Sequence, residues 1–232
     1  MAASQDFDGS TEYLFSNDSN SVASALSDYP VSQLGWIYWN TLPGAAVPFG
    51  LFRNIGVSNN DFIRILSRSS GKLRANIRVN GGVEYGTESS NTVSTGKWYF
   101  VCQTHASSTD HKLFVDGTNW LTGTTDVGSF PTLSRTSIGR TYRGSITTEY
   151  HDGKVAHYQV YDKVLSIDEQ NEISNNPIAL PSNLKCYIPL MENGTVATDF
   201  KDLTGNGFGP QSGTVPTNSP SGPPIHFPQM QG

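Results

Sequence analysis

The side chains able to carry chemistry are five histidines (His105, His111, His151, His157, His226), two cysteines (Cys102, Cys186) and twenty carboxylates. No pair of histidines has the i, i+4 spacing of a helical zinc motif. Cys102 and His105 stand three apart in a strand-like run, so side-chain alternation puts them on opposite faces. Glycoside hydrolysis needs two carboxyl groups held roughly 5 to 9 Å apart. On a β scaffold a Glu-x-Asp-x-Glu strand would supply them, and the chain has none. There is no Gly-x-Ser-x-Gly elbow for a serine nucleophile. Gly205-Asn206-Gly207-Phe208-Gly209 lacks both the spacing of a phosphate loop and a helix to follow it. These absences predict a protein that is not an enzyme.

Binding chemistry is better represented. Trp120 follows a turn at Thr118-Asn119, and two nearby loops carry Tyr142, Arg143, Tyr150 and His151. Aromatic faces stack on the C–H faces of sugar rings while amide and charged groups read hydroxyls, so these five residues form the candidate carbohydrate site. The alternative is that Trp120 caps a core and the two tyrosines cover its edge. Trp36 and Trp39 point to opposite faces of one strand, and parity does not say which is buried. Asp8, Asp199 and Asp202, with Asn206, are the oxygen-rich positions for a calcium ion. Ca²⁺ takes about six to eight oxygen ligands, and turn formation is the competing use of these residues.

The elements that must position these groups are short strands. Charged residues make up only 15% of the chain and apolar ones 36%, with 23 glycines and 13 prolines, a composition of strands joined by tight turns. Strands are predicted at Tyr13 to Phe15, Leu34 to Trp39, Val47 to Phe52, Phe62 to Leu66, Leu73 to Val79, Trp98 to Thr104, Lys112 to Val115, Ser137 to Gly139, Lys154 to Tyr161, Leu184 to Leu190 and Val196 to Phe200. Asn80-Gly81-Gly82, Asp116-Gly117, Asp152-Gly153 and Asn206-Gly207 mark turns. Trp98 to Cys102 is apolar on both faces, as a central strand should be. One helix is expected near 167–174: Ser166 caps it, Glu169 closes a capping box, and Pro177 ends it. Residues 205–232, rich in Gly, Pro and Ser, read as an extended arm ordered only where it docks. A net charge of -5 with no basic cluster speaks against nucleic acid, and no apolar run is long enough to span a bilayer. The N-terminal residues show no basic and apolar export signal. The two cysteines sit inside strands, as buried thiols or as a disulfide.

Three segments together resemble the laminin G-like branch of the concanavalin A-like lectin and glucanase family. They are Phe7-Asp8-Gly9-Ser10-Thr11-Glu12-Tyr13-Leu14; Gly96 to Cys102 with His111-Lys112-Leu113-Phe114-Val115-Asp116-Gly117; and Gly153 to Tyr161 with the acidic helix after it. The resemblance implies an all-β, two-sheet antiparallel jelly-roll β-sandwich over residues 1–204. The family's Asp-Glu pair near its calcium site is replaced by Ala156-His157, which leaves calcium without its usual ligands. Residues 185–204 resemble a hairpin that usually precedes the Phe-Asp-Gly strand, so here it is either permuted or exchanged with a neighbouring subunit. The expected role is non-catalytic display at a virion or extracellular surface, as a capsid decoration, tail or fibre subunit. Its expected partners are glycans and either other virion subunits or copies of itself held through the arm. A cellular carbohydrate-binding module or adhesin is the competing role, and a polysaccharide-degrading enzyme the third.

Overall fold

The computed structural model describes residues 4–53, 61–79, 82, 84–143, 146–179, 181–191, 199–210, 212–219 and 221–225. Its first strands are β1 (Ser4–Asp8), β2 (Tyr13–Asn17), β3 (Val31–Trp39), β4 (Ala45–Ala46), β5 (Phe49–Phe52), β6 (Phe62–Arg68), β7 (Leu73–Arg78), β8 (Glu84–Tyr85) and β9 (Trp98–Ser107). There follow β10 (Asp110–Val115), β11 (Thr118–Gly123), β12 (Arg135–Ile138), β13 (Thr141–Arg143), β14 (Ile146–Thr148), β15 (Asp152–Tyr161), helix α1 (Ile167–Asn175), β16 (Leu184–Ile188), β17 (Ser212–Thr214) and β18 (Thr217–Ser219). The first sheet runs β11-β10-β9-β3-β15-β1-β18, with β16 also on β15. The second runs β17-β2-β12-β5-β6-β7-β8, with β4 beside β6, and β13-β14 form a separate hairpin. The architecture is the expected two-sheet antiparallel jelly-roll sandwich.

Alternation builds the core. On β7, Leu73, Ala75 and Ile77 point between the sheets while Arg74 and Arg78 keep partial exposure. Strands β3 and β9 are buried on both faces, as an apolar run on both parities requires. Ile37, Trp39, Tyr99 and Val101 join the main core, whereas Leu34, Trp36, Phe100 and Cys102 pack outside the first sheet with Leu165 and Ile173 of the α1 region. Cys102 and Cys186 thus belong to different clusters, and both are free thiols. Helix α1 carries the full capping box: Ser166 Oγ accepts from the Glu169 amide, and the Glu169 carboxylate accepts from the Ser166 amide.

Two family motifs acquire physical reasons. Phe7 fills the core, and Asp8 Oδ1 accepts from the amides of Ser10, Thr11 and Glu12, turning the chain from one sheet into the other. In the second motif Asp116 Oδ1 accepts from the Phe100 amide at 2.9 Å, which extends the β9–β10 pairing by one residue. Gly117 follows in the left-handed region (φ 72°), which glycine adopts without strain, and a Cβ there would lie 2.4 Å from Asn171 Oδ1, so the Asn171 side chain of α1 would have to move.

The chain's C-terminal part docks on its own fold. Strand β16 pairs with β15 of its own chain, from Tyr158 opposite Ile188 to Tyr161 opposite Leu184. Beyond it β17 pairs with β2 and β18 with β1, so the segment adds an edge strand to each sheet. Of the strand expected at Val196 to Phe200, residues 196–198 lie outside the described set, and Asp199 and Phe200 are not in a strand. Asn80 and Gly81 of one expected turn also lie outside it.

Four histidines are buried. His111 Nε2 lies 3.0 Å from both the Ser108 and Thr125 carbonyls and so carries a proton; its Nδ1 then accepts from His105 Nδ1 at 2.9 Å. Burial, reinforced by His111, pushes His105 well below its ordinary range, and burial takes His151 and His157 down to about 4. The folded state therefore binds fewer protons than the unfolded chain between about pH 6.5 and pH 4. Stability is complete above that window and falls as pH drops through it, by about 1.4 kcal/mol per pH unit for each such histidine. Chemical denaturation followed by fluorescence should give an unfolding free energy that is flat above pH 7 and declines steeply toward pH 4. A second expectation concerns the edges: a chain ending at Pro210 should melt on the order of 5–10 °C lower and associate in light scattering, because β1 and β2 become open edges.

Candidate functional site

The five residues expected to form a carbohydrate site fall in three places. Trp120, on β11, is half-buried against the main core with its ring 6.4 Å from Tyr99, as a core cap. His151 is fully buried, packed on Phe7 and Trp39, and so is corrected from surface contact to neutral core residue. Its loop is polar on both sides, but the ring turns inward, where the uncharged form is the stable one. Tyr142 and Tyr150 do come together, with Tyr13 and Phe15 of β2, outside the second sheet. Guanidinium groups take up their faces: Arg135 lies 3.7 Å and Arg140 4.3 Å from the Tyr142 ring centre, and Arg140 donates to the Tyr150 hydroxyl at 2.7 Å. Arg143 lies on β13, and its side chain is outside the described set.

Nor do the three carboxylates form one site. Asp8 pairs with Asp152 at the start of β15, whereas Asp202 is tied to Tyr187, opposite Gln159. Seven positions of strand separate them, on the order of 20 Å. Partial burial works against ionisation of Asp8, but hydrogen bonds from Thr11, Ser10 and Glu12 outweigh it and hold the carboxyl well below its ordinary range. Asp202 accepts from the amides of Tyr187, Thr204 and Phe208, anchoring its loop to β16. Asp199 is partly buried in the same loop. Among the described residues no three His, Cys, Asp or Glu side chains are grouped to hold a metal.

Outside the first sheet lies a different arrangement. Adjacent strands β3 and β9 set Trp36 opposite Phe100 and Tyr38 opposite Trp98. All four rings stand on the same face, 5.5 Å apart within each pair. Trp36 and Phe100 are buried beneath the α1 region, while Tyr38 and Trp98 are partly exposed. Beside them opens a groove of about 330 Å³ lined by Trp36, Lys97, Trp98, Phe100, Asp116, Asn171, Ser174 and Pro224. That is the lower end of the size of small-ligand sites. Its polar groups converge from three places: Asp116 from the β10–β11 turn, Asn171 and Ser174 from α1, and Lys97 from the residue just before β9. Burial raises the Asp116 pKa, opposed by the Phe100 amide and by Lys97. Trp36 Nε1 is a buried donor with no acceptor. Lys154 lies 4.9 Å over the Tyr38 ring and donates to Ser221, so the segment after β18 borders the ladder. Sequence parity separated Trp36 from Trp39; the signal missed was that Trp36 and Tyr38 share parity, as do Trp98 and Phe100.

A second groove, about 240 Å³, is acidic, lined by Asp6, Asp8, Glu12 and Asp152 with Asn40. Asn40 Nδ2 donates to both Asp6 Oδ1 and Asp152 Oδ1, Thr41 holds the other oxygen of Asp152, and Asp8 is spent on its turn. Glu12 is the carboxyl with a raised pKa, through partial burial and then the charges of Asp8 and Asp6. It faces acids already committed to holding strands together.

A sequence comparison with curated proteins gives no match. Among solved structures, a candidate carbohydrate-binding protein from Bacteroides ovatus ATCC 8483 superposes with a TM-score of 0.68 at 16% identity over 97% of this chain. This chain spans 62% of that protein's length. A heptameric SAP-like pentraxin from Limulus polyphemus gives 0.58 at 16% identity, covering 83% of this chain and 90% of the pentraxin. The NanB sialidase of Streptococcus pneumoniae gives 0.61 at 15% identity, over 84% of this chain but 30% of the enzyme. At these identities the likeness is one of fold. The family model of the concanavalin A-like lectin/glucanases superfamily matches residues 8–169, well over half of the chain, and the protein belongs to that superfamily.

Proposed function

We propose that this chain is a non-catalytic carbohydrate-binding module whose sugar site is the aromatic groove on the outer face of the first sheet. The observation that carries the reading is the in-register ladder of Trp36, Phe100, Tyr38 and Trp98 beside converging Asp116, Asn171 and Ser174. Two partly exposed rings offer stacking surface to the C–H face of a sugar. The carboxylate, amide and hydroxyl then accept from and donate to its hydroxyls, and the free Trp36 Nε1 supplies one more donor. The fold shared with the Bacteroides candidate carbohydrate-binding protein supports the same reading. In this proposal the module works at a virion or other extracellular surface, where glycans are displayed, and either neighbouring virion subunits or its own copies hold it there.

Trp98→Ala and Tyr38→Ala should each weaken glycan binding at least tenfold, about 1.4 kcal/mol, with little change in melting temperature because both rings are partly exposed. Calorimetry on the ligands found in a glycan array measures this. Undiminished affinity in both variants would remove the groove from consideration. Prolonged incubation with the bound glycans should release no new reducing ends; their appearance, abolished by Glu12→Gln, would make the acidic groove a hydrolytic centre instead.

A further inference from the structure

The chain is acidic overall, yet its eight arginines are all on one side of the sandwich. Arg64 and Arg68 lie on β6, Arg74 and Arg78 on β7, Arg135 on β12 and Arg143 on β13; Arg53 directly follows β5, and Arg140 sits between β12 and β13. Four of them have acidic partners among the described residues. Arg64 pairs with Glu149, Arg53 with Asp61 at 3.7 Å, and Arg68 and Arg74 share Glu88.

Arg140 is different. It is 5% exposed, and no carboxylate among the described residues lies within ion-pair distance of it. Its guanidinium sits 3.2 Å from the ring centre of Tyr13 and 4.3 Å from that of Tyr142, and one amino group donates to the Tyr150 hydroxyl. Its Nε is a buried donor without an acceptor. The neighbouring cation is Arg135, itself 5% exposed and stacked on the same Tyr142 ring. The closest acid in sequence, Glu149, is held by Arg64 and Thr141. Arg135 has the Asp18 charge near it, whereas Arg140 has no such acid among the described residues, and a buried cation is costly unless a negative partner completes it. A guanidinium with an unfilled Nε edge matches the two oxygens of a carboxylate or sulfate.

We propose that Arg140, with Arg135 beside it, is the receptor for a single anionic group, carboxylate or sulfate, carried by an acidic sugar. The rim around it consists of the partly exposed Tyr13, Phe15, Tyr142 and Tyr150. Their faces are already taken by guanidinium, so base stacking is not on offer, and the chain's net charge of -5 opposes a polyphosphate. The site stands on the second sheet, apart from the aromatic ladder, and does not rest on the reading of that groove.

The test is nitrogen-proton NMR of the intact protein, following the arginine Nε–H signals during titration with sodium galacturonate, sodium sulfate and neutral galactose at constant ionic strength. Arg140→Lys, which keeps the charge and removes the fork, assigns the Arg140 signal. The Arg140 Nε–H resonance should move saturably with galacturonate or sulfate, not with galactose, and an oligogalacturonate should bind at least tenfold more tightly than its neutral counterpart. A response to sulfate alone would establish a sulfated sugar as the ligand, and a response to galacturonate alone a uronic one. A stationary Arg140 signal, or a linear drift shared by all arginines, would overturn the proposal. Binding at the ladder reports on the Trp98 Nε1–H signal, so either site can fail without the other.

Discussion

The sandwich depends on a bulge in β15, one of its two longest strands. β15 pairs along one edge with β3, but its register slips between Ala156 and Gln159, where His157 and Tyr158 stand against Gly35 alone. His157 takes a positive φ of 55°, an uncommon conformation for a non-glycine residue, and the fold holds it from two sides. Its amide donates to the Pro189 carbonyl, and its Nδ1 meets the Tyr187 hydroxyl at 2.8 Å. The bulge divides the opposite edge of β15 between two partners, β1 along Asp152 to Val155 and β16 along Tyr158 to Tyr161. A strand from each end of the sequence can thus join one sheet. His157, one of the two residues standing where the resemblance leads one to expect an acidic pair, opens this bulge, and Ala156 beside it keeps its pairing with Trp36.

What was legible in the sequence follows how local each determinant is. The capping box of α1 needs only Ser166 and Glu169, three residues apart, and it was readable. So were the strands whose alternation is unbroken, such as β7. Strands β17 and β18 were not, and β1 showed only through the family resemblance, because Ser, Asp, Gly and Thr dominate them and their pairing joins residues some two hundred positions apart, as Gln5 with Asn218. Parity could show that a strand has two faces but not what covers each. The outer ladder of Trp36 and Tyr38 is as apolar as the inner pair Ile37 and Trp39. His151 misled for a related reason: its polar neighbours, Tyr150 and Asp152, describe the loop and not the direction of the ring.

The two candidate sites differ in kind as well as position. In the ladder, flat β-strands hold the rings in pairs and leave the outermost partly bare, so recognition there would rest on surface already in place. In the arginine cluster the aromatic faces are committed, and the polar edge of one guanidinium is what remains unfilled. As proposed, one would take an uncharged ring and the other a charge. The sandwich separates them by its own thickness.

The pairing of β1 with β18, Ser4 beside Ser219, brings the first and last described strands into contact at one edge of the first sheet. A polypeptide that enters and leaves a fold at neighbouring points can be spliced into a surface loop of another protein without prising that host apart. Architecturally such a sandwich can act as a cassette: its placement along a longer chain can vary while the aromatic groove on the outer face of its first sheet keeps its shape.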